Sequence, residues 1–116
     1  AYDDGNYVVV GADWNQCPPN HSYYTFMGEK NENYSQTNIE EDFMPEGWQW
    51  IFDNTEPTNR KLYQVLSESD YEDTYKTLID FYLVSPNIEV LEVRTKNLKF
   101  ASSDHQPVHL QFTLRK

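Results

Sequence analysis

The hydrophobic and polar positions of this chain fall into short runs with the period of strands, separated by longer polar stretches. Tyr7–Gly11 is a near-continuous apolar run, the pattern expected of an interior strand covered on both faces. Trp48–Asp53 alternates Trp48, Trp50 and Phe52 with Gln49, Ile51 and Asp53, which predicts a second strand, and Arg60–Leu66 is a candidate third. Thr77–Val84 and Glu89–Thr95 read as strands, and Val108–Leu114 as the last. Between them, Cys17–Ser22 is a loop, because Pro18 and Pro19 stop a strand or helix. Residues 28–42 form a polar surface loop with a helical turn near Asn38–Phe43. Asn54–Asn59 is a turn, and Ser67–Tyr75 an acidic loop or short helix. The expectation is a mainly antiparallel, α+β arrangement with short helices and long loops.

Polar residues set directly against these runs carry the candidate chemistry. Val8–Asn15 (Val-Val-Val-Gly-Ala-Asp-Trp-Asn) ends a strand on an acid and an amide, Asp13 and Asn15. Leu78–Ser85 embeds Asp80 in an otherwise apolar strand, where an ionised carboxylate is seldom found without a partner. Ser102–Val108 presents Asp104 and His105 side by side in a loop before the last strand. Singly, each piece has an ordinary explanation: a turn closing a strand for Asp13 and Asn15, a solvated turn for Asp104-His105, a loop-capping or Arg-paired carboxylate for Asp80. Together they supply a metal-binding carboxylate, an oriented histidine and an acid able to position water.

In that order the motifs resemble the endonuclease/exonuclease/phosphatase superfamily, whose signatures are a G-D-x-N strand end, an I-D-[YF]-[IF] strand and a closing S-D-H-x-P-[VI]. Here they read Gly11-Ala12-Asp13-Trp14-Asn15, Ile79-Asp80-Phe81-Tyr82 and Ser103-Asp104-His105-Gln106-Pro107-Val108. Ala12 departs from the pattern by separating Gly11 from Asp13, although the D-x-N spacing survives. The resemblance covers nearly the whole chain but only the C-terminal half of such a domain, one of the two sheets of a four-layer β-sandwich. It implies that the N-terminal half, with the main metal-binding glutamate, lies outside this chain.

The resemblance also implies Mg2+-dependent (or Mn2+-dependent) phosphoester hydrolysis by the parent, as a nuclease or phosphatase, with this piece inactive alone. Asp104 is then a direct or water-mediated metal ligand, and His105 contacts the scissile phosphate or acts as acid–base. Asp80 orients the His105 ring, Asp13 orients or deprotonates the attacking water, and Asn15 donates to a phosphoryl oxygen. Arg60, in Pro-Thr-Asn-Arg, is a candidate phosphate clamp, although a surface Arg after a turn is the plainer expectation. Trp14 is expected to face the other side of its strand and pack, and His21 and His109 to be structural.

Charge narrows the substrate. The chain has a formal net charge of −10, and residues 1–58 carry eleven acids against the single base Lys30, whereas 59–116 carry eight of each sign. Nucleic-acid binding without sequence preference relies on Lys and Arg against phosphates, so this half offers no broad electrostatic track. A small phosphorylated molecule or a single-strand end suits it better. Cys17 is the only cysteine, which excludes an internal disulfide, and no zinc-ligand spacing surrounds it. No apolar run reaches the roughly 18 residues of a membrane span. Ala1 reads as a mature terminus or a cut boundary. Truncation is expected to expose a sheet face drawn from Val8, Val10, Leu78, Leu83, Val108 and Leu110, for the missing half or a second copy to cover. Two alternatives stand beside hydrolysis: a non-catalytic member of the same fold that binds a phosphorylated ligand or protein, and an unrelated acidic β-module using exposed Trp and Tyr.

Overall fold

The computed structural model describes residues 2–21, 37–60, 76–101 and 103–115. Among these, one 3-10 turn, Tyr2–Asp4, is the only helical element, and every strand pairing is antiparallel. The strands are β1 (Val9–Asp13), β2 (Gln49–Ile51), β3 (Asn59–Arg60), β4 (Lys76–Thr77), β5 (Asp80–Val84), β6 (Ile88–Thr95) and β7 (Val108–Leu114). They form three small sheets: β1-β5-β2, β3-β4 and β6-β7. No described helix is long and apolar enough to cross a membrane.

The run expected as one strand over Thr77–Val84 is two. Thr77 pairs with β3, Asp80–Val84 pairs with β1 and β2, and the chain changes sheet at Leu78–Ile79. Thr58 causes the break. Its hydroxyl oxygen accepts the Ile79 and Asp80 N–H groups at 3.0 and 3.1 Å, so these donors leave the strand ladder without being orphaned. Asp80 therefore heads β5, with its Cα directly opposite Asp13 at the end of β1.

Register then sorts the faces, because directly opposed residues share one. Asp13/Asp80 and Gly11/Tyr82 lie on one side of the sheet, Ala12/Phe81 and Val10/Leu83 on the other. The second side packs. Phe81 (1% exposed), Leu78 and Ile39 are buried there against Trp14, Trp50 and Phe52. Trp14 stacks on Phe81, and Trp50 meets both rings edge-on with centroids 5.0–5.7 Å apart, geometry that aromatic pairs favour.

Several expectations change. The first strand begins at Val9 and runs to Asp13; among the described residues it pairs with β5 alone, and it is mostly exposed where a strand covered on both faces was expected. The pairing stops short of Tyr7 because Ser85 takes over the backbone of Val8, donating its N–H to the Val8 carbonyl and accepting the Val8 N–H on Oγ. No helical turn forms over Asn38–Phe43. Cys17 and Asn38 are bridged through their backbones, and a non-helical turn follows with Phe43 N–H on the Glu40 carbonyl. Of Arg60–Leu66, Arg60 lies in β3, and the remainder, like Ser67–Tyr75, lies outside the described residues. The expected single sheet is divided, with β6 and β7 forming a separate two-stranded ribbon. Of the residues assigned to an exposed face, Leu78 and Leu83 are buried, since one fills the sheet switch and the other faces the aromatic side. Val10 is exposed as expected, and the other exposed large apolar side chains among the described residues are Tyr7, Phe43, Leu91, Leu98, Phe112 and Leu114.

Tyr82 joins the central sheet to the ribbon. Its hydroxyl donates to the Val108 carbonyl at 2.7 Å, and its ring lies over Gly11, where an added Cβ would sit 2.7 Å from Cε1. The hydrogen bond keeps the ring from swinging aside. Gly11→Ala should therefore destabilise the chain by about 1–3 kcal/mol, the range for overpacking. In a Tyr82→Ala background the same change should cost far less. Urea unfolding of the four proteins checks both statements; an equal cost in both backgrounds would show that the contact is not the cause.

Candidate active site

Three separate stretches of sequence meet at the head of β5. The Asp80 carboxylate accepts the His105 Nδ1–H at 2.8 Å, the shortest polar contact of the group. On the other side of the ring, Nε2 lies 3.8 Å from Asp13 Oδ2 and 4.0 Å from Asp104 Oδ2. The imidazole thus stands among three carboxylates, one touching and two within reach.

Each is held by its own element. Asp80 is fixed by the sheet switch, and its side chain is 19% exposed. Asp13 ends β1, with Trp14 N–H bonded to the Ile79 carbonyl just beyond. Asp13 Oδ1 accepts the Asn15 N–H at 2.9 Å, closing a tight turn in which Asn15 adopts φ +54°, a left-handed conformation that Asn tolerates better than most residues. The turn expected at Asp13 and Asn15 is present, and it uses only one carboxylate oxygen: Oδ1 holds the turn and Oδ2 faces His105.

The Asp104-His105 loop is clamped by β3 and its neighbours. Arg60 N–H donates to the Asp104 carbonyl, Gln106 N–H to the Thr58 carbonyl, and Asn59 and His105 form an antiparallel bridge. Gln106 is buried and spans the loop, its amide donating to the Pro57 carbonyl and accepting from Leu98 N–H. Asn59 Nδ2 reaches the Asp104 carbonyl at 3.2 Å and His105 Nε2 at 3.3 Å.

Burial sets the electrostatics. Burial alone would lower the His105 pKa, but the Asp80 hydrogen bond and charge, followed by the charges of Asp104 and Asp13, outweigh it and raise the value above that of an ordinary histidine. Asp80 is itself raised: desolvation dominates, the His105 and Thr58 hydrogen bonds and the His105 charge oppose it, and Asp13 adds to it.

The structure brings Asp13, Asp80, Asp104 and His105 together, with Asn15 tied to Asp13 through its backbone. Arg60 is 8% exposed, which corrects the expectation of a surface Arg, because its strand is pressed between β4 and the Asp104 loop. Trp14 packs on the aromatic side and donates Nε1–H to the Phe81 carbonyl. His21 lies edge-on to Phe52, with its pKa lowered by burial, and His109 pairs with Arg94 in the ribbon. Thr58, Asn59 and Gln106 were not singled out from sequence. Pro-Thr-Asn between two predicted elements looks like any turn, and only the contact with Asp80 and His105 sets it apart.

The donor chemistry suits a hard divalent cation. Asp80 and His105 Nδ1 engage each other, which leaves the Asp13 Oδ2 and Asp104 Oδ2 oxygens on the Nε2 side of the ring. Asp13, Asp80 and His105 also have ligand atoms all within 4.8 Å. Magnesium prefers oxygen donors and keeps several waters, so one or two such carboxylates fit it. No family model, curated protein or solved structure matches the chain.

The raised His105 value gives a signed pH dependence. The imidazolium stabilises the fold fully below the ordinary histidine value of about 6.5, and its contribution is lost as pH rises through the raised value. In EDTA, the urea midpoint should fall from pH about 6 to about 8, and more steeply than in Asp80→Asn, which lacks the charge that raises His105. Proton NMR of the His105 ring should show the titration midpoint moving down in Asp80→Asn; an unmoved midpoint would contradict the pairing.

Proposed function

We propose that this chain is part of a metal-dependent phosphoesterase resembling the endonuclease/exonuclease/phosphatase superfamily, and that it supplies the Asp13/Asn15, Asp80 and Asp104-His105 portions of the active site. The observation that carries the reading is the His105 ring, bonded to a half-buried carboxylate through Nδ1 and turned with Nε2 toward Asp13 and Asp104. An unrelated β-module has no need to bring three distant polar motifs to one point.

In this reading Asp104 and a glutamate of the longer protein would hold Mg2+, which when bound would polarise a phosphoryl oxygen and acidify water. Asp80 keeps His105 in one orientation and stabilises its protonated form, as a carboxylate does behind any acid–base histidine. His105 Nε2 then bonds a phosphoryl oxygen or hands a proton to the leaving oxygen. Asp13 uses its free oxygen to align water and accept its proton, while its other oxygen stays anchored to Asn15 N–H. The Asn15 amide donates to the phosphoryl group as charge redistributes. Arg60 is the clamp candidate from the adjoining strand. The acidic balance of residues 1–58 favours a small phosphorylated molecule or a strand end over duplex nucleic acid.

The protein that carries this chain should hydrolyse members of a panel of nucleotides, inositol phosphates, single-stranded nucleic acid and generic phosphoesters, with loss of activity in EDTA and recovery in Mg2+ or Mn2+. Turnover that ignores EDTA, or none on any substrate, would count against the assignment. Asp80→Asn should lower turnover about 10²–10⁴-fold. Combined with His105→Ala it should cost little more than His105→Ala alone, because the two serve one function.

Directly opposed Val90/Phe112 and Ile88/Leu114 place apolar groups on one face of the β6–β7 ribbon, where Phe112 and Leu114 are 41% and 46% exposed. This supports the reading that the preceding half of the domain covers that face. The chain alone should then self-associate in light scattering; a strictly monomeric, fully active species would refute the half-domain reading.

A further inference from the structure

We propose that Asn59 is a positioning residue for His105, holding the imidazole from the side opposite Asp80. Its consequence for turnover rests on the hydrolytic reading above; its effect on the ring does not.

The geometry is that of a two-sided clamp. Asn59 is 9% exposed and lies in β3, whose backbone bridges to His105 itself. Its Nδ2 lies 3.2 Å from the Asp104 carbonyl and 3.3 Å from His105 Nε2. A carboxamide nitrogen has two protons, one for each partner. The first ties the side chain to the loop and fixes its plane. The second is directed at the ring nitrogen that Asp80 does not use. With Nδ1–H given to Asp80, Nε2 of the neutral ring has a lone pair, and a donor N–H is the complement it requires.

The restraint matters because Asp80 alone does not fix the ring. One hydrogen bond to Nδ1 leaves the imidazole able to swing about that contact, and a displacement of about 1 Å at the reacting atom can cost about 100-fold in rate. While the ring is neutral and waits for substrate, a second contact on Nε2, from a buried side chain on a different strand, removes that freedom; a proton taken up at Nε2 replaces that contact and is then given to the phosphoryl or leaving oxygen. Asp13 Oδ2 at 3.8 Å and Asp104 Oδ2 at 4.0 Å are too far to do so. The same β3 segment holds Asp80 through the Thr58 hydroxyl, so one short strand sets both partners of the pair.

The test is nitrogen-15 NMR of the chain itself, free of divalent metal and at a pH where the ring is neutral. In the unaltered protein the Asn59 carboxamide protons should be protected from exchange and show nuclear Overhauser contacts to the His105 ring. Their absence overturns the proposal without any variant. In Asn59→Ala the His105 Nε2 resonance should move toward that of a pyridine-type nitrogen with no hydrogen bond, and the ring signals should broaden. Asn59→Leu keeps the bulk but has no N–H, and should give the same shift; a signature like the unaltered chain's in both variants would show that Asn59 only fills space. In the protein that carries the chain, Asn59→Ala should lower kcat about 10–100-fold with little change in KM. A KM effect alone would overturn the positioning role. If no form turns over phosphoesters, the hydrolytic reading fails while the ring signature still decides the role of Asn59.

Discussion

Two carboxylates stand directly opposite each other on adjacent strands, Asp13 on β1 and Asp80 on β5, an arrangement that repulsion makes unfavourable. The imidazole of His105 resolves it. One ring nitrogen takes the Asp80 contact at 2.8 Å, and the other faces Asp13 and Asp104. Because Asp80 is largely withdrawn from water, the hydrogen bonds from His105 and Thr58 are what allow it to carry charge there. The same carboxylates raise the histidine. Neither group's behaviour belongs to it alone.

The backbone is organised around delivering these groups to one point. Thr58 diverts the chain between sheets at Leu78–Ile79, and so makes Asp80 the first residue of β5 and not a mid-strand residue. The aromatic packing of Trp14, Trp50 and Phe81 holds β1, β5 and β2 from behind, on the face away from the acids. Tyr82 crosses the other face over Gly11 and ties β5 to the strand that follows His105. Gln106 and β3 grip the loop between them. Side chains that converge on one point from separate elements are rigid only if each element is anchored nearby, and here each anchor lies within a few residues of the group it serves.

The final strand, the ribbon partner, the loop that precedes it and the β1 and β2 strands were legible in the sequence, because alternation and turn residues act locally. The candidate acids and the histidine were legible as types, since a carboxylate inside Leu-Ile-Asp-Phe-Tyr-Leu is chemically out of place. Their convergence was not. Asp13 and Asp80 are opposed only through strand register, and His105 reaches Asp80 only because β3 bridges to its loop.

The sequence by itself therefore determined strand content, the polar motifs at strand ends and the packing role of Trp14, all of which follow from the period and polarity of neighbouring residues. Tertiary structure alone decided where the Thr77–Val84 run breaks, that β1 pairs with β5 alone among the described residues, that Arg60 is buried, and that Thr58 and Asn59 serve Asp80 and His105. These depend on hydrogen bonds between residues about 20 or more positions apart, such as Ile79 N–H on Thr58 and Asn59 on His105. A hydroxyl or an amide that satisfies a distant donor leaves no periodic trace in its own surroundings, and for that reason the chain's pattern does not reveal it.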